Sequence, residues 1–130
     1  MDEESLRAKV IRYLTYSGVD ADISHEIYHA DAVLEFPQSG ERFVGVANFR
    51  EWRRTYPAKV QFEIRRITGS GGLWVAELGV SYDGGPRKFG VSILEFRGDR
   101  VAYERIYGAE PWEAPAWRAK WRDRAGTTAT

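Results

Sequence analysis

The segment from Tyr28 to Gly45, YHADAVLEFPQSGERFVG, constrains the fold more than any other part of the chain. Ala32, Leu34 and Phe36 recur at every second position, and this period of two predicts a strand. The PQSG sequence that follows has turn chemistry, so a second short strand, Arg42 to Val44, is expected to return alongside the first. A helical pattern ends before this hairpin and a new one begins after it.

Apolar residues at helical spacing predict three helices. The first runs from about Ser5 to Ser17, the second from an N-cap at Asp20 to about Tyr28, and the third from Val46 to Thr55. Pro57 cannot continue the third helix because it has no backbone N–H to donate.

Four antiparallel strands are expected after the third helix. The first begins near Val60. The other three run from Leu73 to Tyr82, from Lys88 to Phe96 and from Val101 to Tyr107. Glycine-rich stretches between them predict hairpin turns, and none precedes a helix as a phosphate-binding loop would. Three helices against a strongly bent antiparallel sheet give an α+β cone that encloses an apolar pocket.

Two motifs carry a resemblance to a known family. The pattern YxxDAxxEFPxxG, followed by F-x-G at the start of a helix, resembles the SnoaL-like branch of the nuclear transport factor 2 superfamily. The block ERIYGAEPWEAPAW, from Glu104 to Trp117, is similar to the end of many SnoaL-like chains. The resemblance implies one SnoaL-like domain over residues 1–124, with a cone-shaped sheet of about six strands and a flexible tail at 125–130. It also implies a homodimer formed through the sheet.

The composition restricts the partners and the compartment. Nineteen basic and nineteen acidic side chains cancel, so no overall field favours nucleic acid or an anionic membrane. The acidic N-terminus has no signal-peptide pattern and no stretch reaches the length of a membrane span, so a cytoplasmic protein is expected. Zero cysteines exclude thiolate chemistry and cysteine-bound metal. The 18 aromatic residues, five Trp, seven Tyr and six Phe, suit a large pocket or a dimer interface.

His25 to His29 spells H-E-x-x-H, the spacing of zinc hydrolases. A zinc site would need a third ligand, and Glu35 or Asp31 could supply it only if strand geometry allowed it. The predicted helix is short, His29 lies at its end, and the chain has no further histidine. We therefore interpret the two histidines as surface or helix-end residues and expect neither a metal nor any other cofactor.

The superfamily also contains ketosteroid isomerases, which use an Asp base together with a Tyr and a protonated Asp that stabilise an oxyanion. In this chain Tyr13 matches the tyrosine position. Phe36 stands at the position of the base, and Ser92 at that of the protonated acid. Because phenylalanine cannot accept a proton, steroid isomerisation by that mechanism is not expected.

The same alignment places Glu104 on the concave face of the last strand, with Ala102 and Ile106 on its face. An acid in an apolar pocket would hold its proton more tightly and could act as a general acid, a general base or a hydrogen-bond donor. Glu104 could instead pair with a buried group such as Arg42 or Tyr13 and only organise the cone. Alternation does not decide whether Glu104 or Arg105 points inward.

Strand and helix parity predicts the side chains of the pocket wall, although each could equally belong to the core. The predicted ligand-binding residues are Leu34, Phe36, Phe49, Trp52, Trp74, Leu78, Tyr82 and Ser92. The arginine clusters, Arg50, Arg53 and Arg54 with Arg65 and Arg66, are interleaved with acids and interpreted as solvated faces.

Two functions follow as hypotheses. In the first, the protein is an isomerase, cyclase or hydratase that acts on a hydrophobic or polyketide-like compound, with Glu104 carrying the proton and Tyr13 donating a hydrogen bond. In the second, the same cone is a small-ligand-binding or dimerisation domain without catalysis. Epoxide hydrolysis is a weaker third hypothesis, since the Asp-Arg-Asp arrangement of those enzymes has no match here.

Overall fold

The structure is a computed structural model that describes residues 2–123. It contains three α-helices, two short 3₁₀ segments and one six-stranded sheet. The helices are α1 (Glu3–Tyr16), α2 (Ala21–Ser24) and α3 (Val46–Arg54), with 3₁₀ segments at His25–Ile27 and Ala116–Trp121. The strands are β1 (Tyr28–Phe36), β2 (Glu41–Val44), β3 (Val60–Ser70), β4 (Leu73–Tyr82), β5 (Lys88–Arg97) and β6 (Arg100–Ala109). The predicted α+β class is confirmed.

The first two helices begin at acidic caps. Asp2 accepts a hydrogen bond from the Ser5 backbone at 2.7 Å, and Asp20 caps α2 as predicted. The α2 helix is shorter than expected, because the chain tightens into a 3₁₀ turn at His25 and becomes extended at Tyr28. The predicted second helix therefore ends early, and β1 starts at the position where that helix was expected to finish.

The strand order is β2-β1-β6-β5-β4-β3. The β1–β2 hairpin and the β3–β6 meander pair antiparallel, as the sequence predicts. The hairpin joins the meander differently from the expectation, because β1 runs parallel to β6. The sheet is therefore mixed. A pairing between strands so distant in the chain leaves no turn signal in the sequence.

A β-bulge in β6 decides which side chains of this strand face the core. Opposite the neighbouring pair Glu95 and Phe96 of β5, the register jumps from Tyr103 to Val101. Val101 and Glu104 are consequently both fully buried, although they are three residues apart. The expected inward position of Ala102 is thus taken by Val101.

Gly18, just after α1, lies so close to β3 that only glycine fits there. Its φ is +79°, and a Cβ atom there would lie 2.5 Å from the carbonyl oxygen of Val60. This close approach brings the end of α1 against β3 and so helps to close the cone over its concave face.

The segment after β6 lies on the surface. Pro115 is the N-cap of the 3₁₀ turn Ala116–Trp121. The expected tail at 125–130 lies outside the described residues. No helix within residues 2–123 is long and apolar enough to cross a membrane. The homodimer through the sheet stays a prediction.

Candidate functional site

A cavity of about 1370 Å³ lies between the concave face of the sheet and the helices. Of the predicted site residues, five line it: Tyr13, Phe36, Trp52, Leu78 and Tyr82. The other five, Leu34, Phe49, Trp74, Ser92 and Glu104, are buried but do not form its wall. Trp74 has a structural contact in place of a ligand contact: its indole nitrogen donates to the carbonyl oxygen of Gly71 at 2.9 Å in the β3–β4 turn.

Glu104 is a fully buried carboxylate, with 0% of its surface exposed. Its Oε2 accepts hydrogen bonds from the Tyr13 hydroxyl, at 2.8 Å, and from the Ser92 hydroxyl, while its Oε1 accepts one from the Tyr28 hydroxyl. These three hydroxyl groups give both oxygens of the Glu104 side chain a hydrogen-bond partner. The open question of orientation is thereby answered: Glu104 points inward, and Arg105 pairs with Glu95.

Arg53 brings the opposite charge to this cluster from the last turn of α3. Its Nη2 lies 4.0 Å from Oε1 of Glu104 and 3.3 Å from the Tyr13 hydroxyl, and its Nη1 donates to the Tyr28 hydroxyl at 3.1 Å. Arg53 lines the cavity and its side chain is 20% exposed, whereas Glu104 is hidden. Of the two charged groups, only the cation therefore lines the cavity.

The neighbouring groups keep Arg53 charged in this apolar setting. Desolvation opposes the charge, but the oxygens of Tyr13, Tyr28 and Glu104 outweigh it and raise the pKa of Arg53. Aromatic rings also surround the guanidinium carbon, at 5.6 Å from the Trp52 ring and 5.8 Å from that of Phe49. Such rings attract a cation through their faces.

His25 forms the edge of the same cluster. Its Nδ1 lies 2.6 Å from the Ala21 carbonyl oxygen, so this nitrogen carries the proton and Nε2 accepts a hydrogen bond from Nη1 of Arg53 at 3.1 Å. Burial, with the charge of Arg53 as the second cause, lowers the pKa of His25 to about 4. His25 is thus neutral at pH 7. His25 is a helix-end residue, as one of the two expected alternatives had it, because it is the C-cap of α2; it is buried and not on the surface, with 6% exposed.

The H-E-x-x-H pattern does not bring its histidines together. Nε2 of His29 lies 2.6 Å from the carbonyl oxygen of Arg97, whereas His25 contacts the Ala21 carbonyl oxygen and Arg53. Within residues 2–123, no group of three or more His, Cys, Asp or Glu side chains is arranged to hold a metal ion. A zinc site has no structural support in that part of the chain.

The two tyrosines of the cluster are held in their neutral form. Burial raises the pKa of Tyr13 and of Tyr28 well above the usual value, and the neighbouring Glu104 adds to the effect. Both hydroxyl groups therefore keep their protons near neutral pH. Tyr13 is the member of this pair that lines the cavity, so it stands between the hidden carboxylate and the space a ligand would occupy.

The sequence predicted the contact between Tyr13 and Glu104 as one alternative, but it did not predict that Arg53 is the cation beside them. The predicted alternative partner, Arg42, instead pairs with Glu35 at 3.5 Å. Arg53 does not lie on a fully solvated face as expected. A signal for it was present, because Arg53 follows the buried Phe49 by four residues and must share its face of the helix.

The molecule is thus an α+β cone with a large cavity and an ionisable cluster at one side of it. The chain belongs to the SnoaL-like domain family, whose match covers residues 11–104. The predicted membership of this family within the nuclear transport factor 2-like group is confirmed.

Solved structures show the same fold. An NTF-2 like protein of unknown function from Burkholderia xenovorans LB400 is 41% identical, with a TM-score of 0.89, over 95% of this chain and 98% of its own. A candidate ketosteroid isomerase from Kribbella flavida DSM 17836 is 24% identical, with a TM-score of 0.83, over 93% and 90% of the two chains. An LEH-like epoxide hydrolase from M. tuberculosis is 22% identical, with a TM-score of 0.67, over 81% and 83%. The last two show the fold alone, and no curated protein matches the sequence.

Proposed function

We propose that the protein is an acid/base enzyme that isomerises, cyclises or hydrates a hydrophobic or polyketide-like compound in the cavity. One observation supports this best: the buried carboxylate of Glu104 is joined by a 2.8 Å hydrogen bond to Tyr13, which lines the cavity. A carboxylate in an apolar core costs free energy unless it is fully partnered, and such groups concentrate at functional sites.

In this proposal Glu104 exchanges protons with the substrate through Tyr13. A substrate group passes its proton to the Tyr13 oxygen while the phenolic proton moves to Oε2 of Glu104, and the reverse transfers return it. The tyrosine is unchanged by the transfer, and Glu104 ends as the protonated acid. A relay is required because Glu104 itself does not reach the cavity wall.

Arg53 stabilises the negative charge that proton removal leaves on the substrate. Its guanidinium already contacts the Tyr13 hydroxyl at 3.3 Å, and part of it faces the cavity. A fixed cation next to a developing oxyanion, in a site poor in water, is among the largest sources of catalysis. Arg53 and Tyr13 thus supply the electrostatic part, and Glu104 accepts the proton.

Deuterium exchange tests the proposal without knowledge of the natural substrate. Proton removal next to a carbonyl is the shared first step of ketone isomerisation and cyclisation, so a panel of ring ketones with one to four rings is incubated with the protein in D₂O. We expect at least one ketone to gain deuterium faster than without protein. Tyr13→Phe and Glu104→Gln should each slow this exchange by about 10²- to 10⁴-fold.

Tyr16→Phe is the matched control, since Tyr16 lies one turn after Tyr13 on α1 and outside the cavity lining. Circular dichroism confirms that each variant is folded. Equal exchange by the wild type, Tyr13→Phe and Glu104→Gln would refute the relay. If no ketone exchanges, while native mass spectrometry finds an unchanged compound retained in the cavity, the protein is instead a binding domain.

A further inference from the structure

Arg53 has hydrogen-bonding capacity that the residues around it leave unused. Nη1 donates to Nε2 of His25 and to the Tyr28 hydroxyl, and Nη2 donates to the Tyr13 hydroxyl. The 4.0 Å separation from Glu104 is an ion-pair distance and too long for a hydrogen bond. Among residues 2–123, the Nε–H and the second Nη2–H of Arg53 therefore lack an acceptor.

The neighbouring Trp52 shows a second unused donor. It lines the cavity, and its ring centroid lies 5.6 Å from the guanidinium carbon of Arg53. Its indole Nε1 is buried and, within the described part of the chain, has no hydrogen-bond partner. A buried donor of this kind is unfavourable unless an acceptor reaches it. Because the Trp52 nitrogen is itself buried, it is not exposed to the cavity, and the N–H groups that can reach a ligand there are those of the partly exposed Arg53.

The acidic residues of the cavity lining do not compete for these donors. Asp20 accepts from the backbone of Asp22 and Ile23, at 3.0 and 3.1 Å, as the cap of α2. Glu41 accepts from the Ser39 hydroxyl at 2.6 Å, on the β1–β2 turn. The positive charge of Arg53 is consequently balanced only from behind, by the hidden Glu104.

We infer that the ligand of this cavity is an apolar compound that carries a carboxylate, bound by Arg53. The inference rests on the proposed function, whose substrate class it specifies. Nε and Nη2 lie on one edge of the guanidinium, and that edge matches the two oxygens of a carboxylate. The aromatic rings of Phe36, Phe43 and Trp52, with centroids 5.1 to 6.1 Å apart, supply the apolar wall beside it.

Calorimetric titration with two compounds of the same shape tests this inference. The probes are 2-naphthoate, which is anionic, and 2-naphthamide, which is neutral. A hydrogen bond to a charged partner is stronger than one to a neutral partner, so we expect the wild type to bind the anion at least about tenfold more tightly than the amide.

The Arg53→Gln/Glu104→Gln double variant removes both charges together and so leaves neither buried alone. It should lose the preference for naphthoate. Arg66→Gln, at an exposed position of β3 outside the cavity lining, should leave the preference unchanged. A naphthamide affinity equal to that of naphthoate, a preference that survives in the double variant, or failure of naphthoate to bind would each overturn the inference.

The binding test and the exchange test fail separately. If naphthoate binds through Arg53 while no ketone exchanges deuterium, including ring ketones that carry a carboxylate, the ligand class stands and the catalytic proposal falls. If a ketone exchanges through Tyr13 while naphthoate shows no preference over naphthamide, the catalytic proposal stands and the carboxylate inference falls.

Discussion

Two regions of the molecule depart from the usual distribution of residues, in opposite directions. At the inner side of the cavity, the charged Glu104 and Arg53 lie in the core with the hydroxyls of Tyr13 and Tyr28. On the segment after β6, three large apolar side chains lie on the surface: Trp112, Trp117 and Trp121, which are 70–80% exposed.

The difference lies in what surrounds each group. Every polar atom of Glu104 has a partner, whereas the three tryptophans bury little surface against the rest of the chain. A buried charge costs free energy unless it has partners. Removal of an exposed ring, in contrast, changes the free energy of unfolding little. The cluster should therefore be essential to the isolated domain, and the tryptophan segment dispensable.

The largest effect is expected from Glu104→Ala. This change leaves Arg53 without its counter-charge and three hydroxyls without their acceptor, so it should lower the free energy of unfolding by about 3–5 kcal/mol. Urea denaturation measures the loss. Glu95→Ala is the control, because its ion pair with Arg105 lies at the surface and should contribute less than about 1 kcal/mol. Similar losses in the two variants would show that the cluster is not specially partnered.

An intermediate effect is expected from acid, through His25. Its folded-state pKa of about 4 lies below the ordinary value of 6.5, so the unfolded chain binds a proton at a pH where the folded protein does not. Stability is therefore fully present above pH 6.5 and is lost as the pH falls towards 4. By pH 5 the loss due to His25 should be about 2 kcal/mol.

Urea titrations at pH 7.5 and pH 5 measure this contribution in the wild type and in His25→Gln. The variant should lose less stability between the two pH values, since it has no group to protonate at this position. The pKa of His25 can also be followed by proton NMR, and it should rise in the Arg53→Gln/Glu104→Gln variant, where the neighbouring cation is gone. Identical pH slopes in the wild type and the variant would contradict the assignment.

The smallest effect is expected from the tryptophan segment. Replacing Trp112, Trp117 and Trp121 by serine should change the free energy of unfolding by no more than about 0.5 kcal/mol for each. The matched contrast is Trp74→Ala in the core, which should cost about 3–5 kcal/mol. A destabilisation in the serine variant that grows at higher protein concentration would instead indicate that the segment stabilises an assembly of several chains.

The sequence predicted regular elements more completely than the site. The spacing of apolar residues was sufficient to predict α1, α3 and the β3–β6 meander, because each of these elements buries one face against the same core. The parallel β1–β6 pairing and the bulge in β6 depend on contacts between distant segments, so neither left a local signal. An acidic residue on the last strand was enough to single out Glu104 as a candidate. The residues that surround Glu104 could not be predicted in full.

Arg53 shows why the site was only half predicted. Charge patterning favoured a solvated face, because Arg50, Arg53 and Arg54 are interleaved with Glu51. Helical spacing from Phe49 favoured the buried face instead, and this second signal was the correct one. Only the fold shows that a carboxylate from the last strand lies opposite and offsets the cost of burying the cation.

A double-mutant cycle on Arg53 and Glu104 tests the central claim most directly, namely that these two charges act as one unit at the cavity. Arg53→Gln and Glu104→Gln are made singly and together, and the free energy of unfolding is measured for all four proteins. We predict that each single change costs about 3 kcal/mol and that the double variant is about 2 kcal/mol more stable than their sum implies. Strictly additive losses would contradict the account.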